Sequence, residues 1–258
     1  MITPSAIGML WAVGMMAIAI GLSSWQRLGL TQTLVIATFR TVAQLLFVGV
    51  FLSAIFASRQ PLAVFAVLLV MATITAIVAH GRIDKGLPKL LKWVWLAIFT
   101  SGLVTMLYVA LFVIELDPWY DPRYLVPLSG IVLGNAMSAA SISGERLVTA
   151  LRNNRIEIET HLSLGATPRQ AIATYRQAAI KAGLAPTINA MMVVALVTLP
   201  GTITGQILAG TDPLVAAIYQ ILIIFMLVLA NLIAALVVTY GISQQFFTPA
   251  MQLVIPQS

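Results

Sequence analysis

The sequence has no cysteine and very little charge, and each shortage excludes a class of protein. Without cysteine the chain can form neither a disulfide framework nor a thiolate metal site. Only 9% of its 258 residues are charged, whereas soluble domains carry about 25%. Hydrophobic residues make up 60%. A soluble fold of this length could not bury so much apolar surface, so the composition predicts a protein whose solvent is the lipid bilayer.

Motifs for energy conversion and catalysis are also missing. The chain has no Gly-x-x-x-x-Gly-Lys-Ser/Thr phosphate loop, so any ATP that drives it must bind to another chain. We find no nucleophile–base pair and no metal triad, which argues against an enzyme. No Asp, Glu or His lies deep in an apolar stretch, although ion-coupled carriers usually need one. These absences favour a transport subunit that is driven by a separate ATP-binding chain.

Seven apolar stretches are long enough to cross a bilayer, which takes about 20 residues. They lie at roughly 5–24, 31–57, 61–80, 94–114, 125–144, 186–209 and 214–240. The first has no basic segment before it and no small-residue cleavage site after it, so we interpret it as a retained span rather than a signal peptide. We therefore predict an all-α, polytopic membrane helix bundle of about seven transmembrane helices, forming one domain over residues 1–258.

Basic residues predict the orientation of the chain. The loop after the third stretch has four, between Arg82 and Lys92, and the loop after the fifth has six, between Arg146 and Lys181, so these loops hold ten of the fourteen. Such loops belong on the cytoplasmic side. We therefore expect a multi-pass protein of the cell inner (plasma) membrane, with the N-terminus outside and the C-terminus in the cytoplasm.

Residues 145–185 are too polar to span a membrane, and their apolar residues are too regularly spaced for a flexible linker. Leu147, Leu151, Ile156 and Ile158 predict a helix that continues out of the membrane as far as Gly165. Thr167-Pro168 is typical of an N-cap followed by a first-turn proline.

The helix that this cap begins is predicted to be amphipathic and interfacial. We expect its apolar residues to face the membrane, namely Ala171, Ile172, Tyr175, Ala179 and Leu184. Its basic residues should face water or lipid headgroups, namely Arg169, Arg176 and Lys181. The alternative for the whole segment is a basic loop that binds anionic lipid.

Polar residues inside the apolar stretches are candidates for a translocation path. Arg40 is the only charge deep in a stretch, with Gln44 one turn away, and it is a gate, a counter-charge to an anionic group or a structural donor to neighbouring helices. Asn135, Asn189 and Asn231 can bond helix to helix, or Asn135 can line a polar path with Ser138 and Ser141. The candidate path comprises Arg40, Gln44, Asn135, Met137, Ser138, Ser141, Asn189, Thr198, Pro200 and Thr202.

Two further features belong to this path. Pro200-Gly201 should break the sixth stretch, where unwound carbonyls and threonine hydroxyls could coordinate a cation or the chain could simply kink. Small residues at Gly130, Gly134, Ser138 and Ser141 would also permit close helix packing. Metal ligands cannot be assigned, and of the methionines only Met137, Met191 and Met192 lie near the polar residues.

Glu159, followed six residues later by Gly165, resembles the glutamate–glycine spacing in the cytoplasmic loop of ABC-importer permeases. Longer stretches are similar to the FetB (YbbM-like) permeases of the UPF0014 family, described as iron exporters, and to plant aluminium-tolerance membrane proteins. These stretches are residues 40–44, 127–137, 162–168, 199–205 and 209–213.

The resemblance implies the permease subunit of an ABC transporter, with two permease copies, two cytoplasmic ATPase subunits and export of a metal cation such as iron. No cofactor is expected in this chain, because ATP and Mg²⁺ would bind the ATPase, and no nucleic-acid partner is expected. Alternatives are a permease of the same type for a sugar nucleotide or lipid, and an ATP-independent channel or secondary transporter. The residues expected to couple to the ATPase are Glu157, Glu159, His161, Leu162, Leu164, Gly165, Ala166 and Thr167.

Overall fold

The computed structural model describes residues 6–58, 60–84, 86–87, 89–113, 120–194, 196, 199–248 and 250–254. These residues form ten α-helices and no named strand, which confirms the predicted all-α class. The helices are α1 (Ala6–Trp25), α2 (Thr31–Ser58), α3 (Pro61–Ile83), α4 (Leu90–Phe112), α5 (Pro122–Asn153), α6 (Arg155–Ser163), α7 (Pro168–Ala171), α8 (Ala173–Val193), α9 (Gly201–Leu208) and α10 (Pro213–Gln245).

Five of the described helices are long and apolar enough to cross a membrane, so the chain is a multi-pass membrane protein. They are α3, α4, α5, α10 and residues Thr31–Gly49 of α2. The apolar part of α1, Leu10–Trp25, is shorter. The total of seven crossings stays a prediction.

The chain divides into two compact units. Helices α1 and α2 form the first unit and contact each other. The second unit contains α3 to α10. Within it α10 packs on α4, α5, α8 and α9, and α5 also contacts α3 and α4.

Hydrogen bonds show that α8 and α10 run antiparallel in the second unit. Asn231 Nδ2 donates to Thr187 Oγ1 (2.6 Å), whereas Thr239, two turns further along α10, meets Arg176 near the start of α8. The end of α10 therefore lies at the same end of the unit as the start of α8, where α5 leads into α6. We call this end the α6 end.

Glycine allows the closest helix contact in the second unit. A Cβ on Gly183 of α8 would lie 2.0 Å from Ser143 Oγ and 2.7 Å from the carbonyl oxygen of Ala139, both on α5. The packing predicted for Gly134 is wrong within the described residues, because a Cβ there would meet nothing within 4 Å. A small residue in the sequence therefore does not show on which side of α5 another helix packs.

The sixth predicted span is not one helix. Helix α8 ends at Val193 and α9 begins at Gly201, which confirms the predicted break at Pro200-Gly201 but not a continuous span over 186–209. Pro200 lacks a backbone N–H and disfavours helical geometry in the residue before it. Helix α8 instead joins the predicted interfacial helix to the first part of the sixth stretch.

The apolar side of α8 was predicted to face the membrane, and this is wrong for its most buried residues. Ile172 at its N-cap and Ala179 are buried in the protein core, as is Ala171 at the end of α7. Arg176 was expected to face water, but its guanidinium donates to Thr239 Oγ1 and to the Leu236 carbonyl, both at 3.2 Å. Periodicity identifies an apolar face but not whether lipid or protein covers it.

Candidate functional site

The predicted coupling segment contains a short helix, α6, with two different faces. The chain enters α6 only one residue after α5 ends. Ile158 is fully buried and Leu162 packs against the same core. On the other side Ile156 is 82% exposed and Leu164, just after the helix, is 81% exposed. Helix α6 is thus anchored by one face and presents apolar side chains on the other.

Gly165 ends this helix in the way its position in the sequence predicted. Its φ of +90° lies in the left-handed region that glycine adopts at little cost. The Gly165 N–H donates to the Leu162 carbonyl and the Ala166 N–H to the His161 carbonyl, both at 3.0 Å. This pair of bonds is a Schellman motif, in which a side chain at Gly165 would be strained.

The predicted N-cap at Thr167 is confirmed. Thr167 Oγ1 accepts from the Gln170 N–H (3.4 Å), and Gln170 Oε1 accepts from the Thr167 N–H (2.9 Å). This reciprocal pair is a capping box, and Pro168 follows as the first residue of α7. The turn between α6 and α7 therefore has a fixed geometry.

The two glutamates of the segment have partners inside the chain. Glu159 pairs with Arg155 (2.7 Å) one turn earlier on α6. Glu157 lies 3.9 Å from His161. Burial raises the pKa of Tyr175 on α8 from 10.0 to about 12, and the nearby Glu157 carboxylate adds to the shift. The Glu157 side chain of α6 is therefore close to Tyr175 of α8.

A salt bridge that we did not predict connects the C-terminal end of α5 to the end of α3. Arg152 Nη2 lies 2.6 Å from Asp84 Oδ2, and the Asp84 side chain is only 8% exposed. Asp84 caps the C-terminus of α3, and its Oδ1 accepts from the Gly86 N–H (2.8 Å). Asp84 could have been noticed as the one acidic residue in a basic loop, but its partner could not.

A cavity of about 260 Å³ lies where α8 breaks, between α5, α8 and α10. Its polar lining comes from Asn135, Thr187 and Gln220, and Met191 and Pro200 also line it. Thr202 Oγ1 donates to Gln220 Oε1, so α9 is tied to α10 beside the cavity. Gln220 and Thr187 were missed in the sequence, although Gln220 stands out as an amide in an apolar helix.

The structure brings together only part of the predicted path. Asn135 and Pro200 line the cavity, and Thr202 reaches it through Gln220. The other predicted residues of the second unit do not line it: Met137 packs against the core, Ser138 is exposed and donates to the Gly134 carbonyl (3.2 Å), Ser141 is buried, and Asn189 is exposed.

The remaining predicted path residues are not among the described residues of the second unit. Thr198 is outside the described residues. Arg40 and Gln44 belong to the first unit, where both are exposed on α2. Within the described ranges, no group of three or more His, Asp or Glu residues is placed to hold a metal ion.

Comparison with known proteins gives matches over nearly the whole chain. A sequence model described as "Uncharacterised protein family (UPF0014)" matches residues 6–247. A UPF0014 membrane protein of Synechocystis is 48% identical over 95% of each chain. The Probable iron export permease protein FetB of Escherichia coli is 30% identical over 95% of this chain and 93% of its own. Protein ALUMINUM SENSITIVE 3 of Arabidopsis thaliana is 30% identical over 98% of this chain and 89% of its own. No solved structure matches.

Proposed function

We propose that this chain, which belongs to the UPF0014 family of membrane proteins, is the permease subunit of an ABC transporter that exports a metal cation such as iron. Two copies would form the pathway in the inner (plasma) membrane, each with an ATPase subunit that binds ATP and Mg²⁺. The α6 end would lie in the cytoplasm with the C-terminus, and the N-terminus outside. The chain itself would catalyse no reaction.

The observation that carries this proposal is the two-faced α6. Nine residues are too few for a stable isolated helix, so α6 depends on Ile158 and Leu162 for its position. Ile156 and Leu164 gain nothing from that core. Burying such a side chain is favourable by about 1.5–3 kcal/mol. An anchored helix with exposed apolar residues suits docking into a cleft of a cytoplasmic subunit.

The way α6 is attached supports transmission of movement. Helix α5 is continuous from Pro122 to Asn153, so Asn135 and Asn153, which are 18 positions apart, are separated by about 27 Å along the helix. Asn135 lines the cavity and Asn153 adjoins α6. A displacement of α6 would therefore move one wall of the cavity, and Tyr175 would carry it to α8.

The test begins with purification of the tagged chain from its own host in mild detergent, with identification of any co-purifying ATP-binding-cassette ATPase. The complex is then placed in liposomes and ATP-dependent movement of Fe²⁺ is measured. Ile156→Asp should weaken ATPase binding roughly 30-fold, the value for a binding hot spot of about 2 kcal/mol. Unfolding should change little, because Ile156 is exposed.

Thr174→Asp is the matched control, since Thr174 is also exposed, lies near the α6 end and also acquires a negative charge. It should leave ATPase binding unchanged. Normal binding and transport by the Ile156 variant would remove the coupling role of α6. Transport by the purified chain without ATP or a partner would favour the channel or secondary transporter, and transport of only a sugar nucleotide or lipid would replace the metal cargo.

A further inference from the structure

Three helices contribute polar residues to the lining of the cavity at the break of α8. Asn135 comes from α5, Thr187 from α8 and Gln220 from α10, while Ile224 and Leu227 complete an apolar wall. Polar groups at such depth are expensive unless they have partners or line a site. The structure ties each of the three to a neighbouring group.

These ties orient oxygen atoms. Asn135 Nδ2 donates to the Ile131 carbonyl (2.9 Å), which leaves its Oδ1 with no hydrogen bond among the described residues. Thr187 Oγ1 accepts from Asn231, whose side chain is buried, and keeps a second lone pair. Gln220, itself 92% buried, accepts from Thr202 through Oε1. Asn135 is thus oriented through the atom that would not coordinate, as ligands of metal sites are by their supporting shell, whereas the Thr187 and Gln220 oxygens each accept one hydrogen bond and keep one lone pair.

The charge and size of the cavity limit what it could hold. Among the described residues, no Asp, Glu, Lys, Arg or His lines it, and Met191 adds a thioether. At about 30 Å³ per water, a volume of about 260 Å³ holds roughly eight waters. This is enough for a metal ion with part of its hydration shell and less than the 300–1,000 Å³ of sites for drug-sized ligands.

Resting on the proposed function, we infer that this cavity is the cargo site, where a partly dehydrated divalent transition-metal cation is held by Asn135, Thr187 and Gln220 oxygens and the Met191 thioether. The C-terminus of α8 and the N-terminus of α9 meet at the break and carry opposite partial charges. The lining side chains therefore determine whether the cavity prefers a cation or an anion. A site without a carboxylate binds a cation weakly enough to release it, which transport requires. The thioether favours transition metals over Mg²⁺.

The test measures Fe²⁺ binding to the purified full-length chain under anaerobic conditions in nanodiscs, by equilibrium dialysis. Gln220→Leu and Asn135→Leu should each weaken binding at least about tenfold. Gln206→Leu is the matched control, because Gln206 is a half-buried glutamine on α9 that does not line the cavity. It should bind Fe²⁺ like the original chain. Thermal unfolding of every variant shows whether it has folded.

A second variant keeps the proposal testable if the leucine variants do not fold. Gln220→Glu preserves size and adds a charge, so it should bind Fe²⁺ more tightly and release it more slowly during transport. Absence of Fe²⁺ binding by the original chain, or unchanged affinity in folded cavity variants, overturns the site. If the complex exports Fe²⁺ while all cavity variants behave like the original, the site is wrong and the proposed function stands. If the chain binds Fe²⁺ at the cavity but the complex exports no metal, the site stands and the proposed function is wrong.

Discussion

Replacing Gly183 by alanine tests whether the contact between α5 and α8 is as tight as the structure shows. The new Cβ would lie 2.7 Å from the backbone oxygen of Ala139, so α8 would have to move away by about 0.7 Å to reach an ordinary contact of 3.4 Å. Overpacking of this kind costs about 1–3 kcal/mol. Alanine regains up to about 1 kcal/mol of helix propensity. The clash should prevail, with a net loss of about 1–2 kcal/mol.

Ser143 provides a second test of this contact, because its Oγ would be only 2.0 Å from the new Cβ. This hydroxyl is buried without a hydrogen-bond partner among the described residues, so Ser143→Ala alone should cost little. In the double variant the closest overlap disappears and the contact with Ala139 remains. We expect about 1 kcal/mol of the loss to be recovered.

The assay is equilibrium unfolding in mixed detergent micelles with increasing dodecyl sulfate, followed by circular dichroism for the original, both single variants and the double variant. A Gly183→Ala protein at least as stable as the original would refute the close approach. Strictly additive losses would show that Ser143 and residue 183 are not in contact. In the proposed complex, the ATPase subunits should use more ATP per ion moved with the Gly183 variant, because the contact between α5 and α8 would be looser.

Two further predictions concern the α6 end. Arg152→Gln should destabilise the protein by about 1–3 kcal/mol, which is less than for a fully buried pair because the Arg152 side chain is 32% exposed. The loss should exceed that of Asp84→Asn, because only the Arg152 variant leaves a buried carboxylate without its partner. Equal losses in the same unfolding assay would contradict this. Tyr175 has a folded-state pKa of about 12, above its ordinary 10.0, so its contribution to stability is complete below pH 10 and is lost as pH rises towards 12. Tyr175→Phe should therefore flatten the stability curve between pH 10 and 12, and an absorbance difference titration with a midpoint near 10 would refute the shift.

Several features could be predicted from sequence because they depend on neighbouring residues. Glycine at 165 ends α6 and Thr167-Pro168 begins α7 because left-handed geometry, capping and a missing N–H are local properties. Pro200 interrupts the helix for the same reason. The candidate path was predicted less well. Ser138, Asn189 and Gln220 are all polar residues in apolar stretches, yet only Gln220 lines the cavity.

The sequence by itself determined that the protein crosses a membrane, where α6 ends and α7 begins, and that a helix breaks at Pro200, since these follow from composition and local backbone chemistry. Only the tertiary structure decided that Asp84 meets Arg152, that Ile158 is buried while Ile156 is exposed, and that polar residues from α5, α8 and α10 line one cavity. Each of these depends on how helices distant in the chain are rotated against one another. Periodicity gives each helix its faces, but which face meets which neighbour is set by packing of the whole unit.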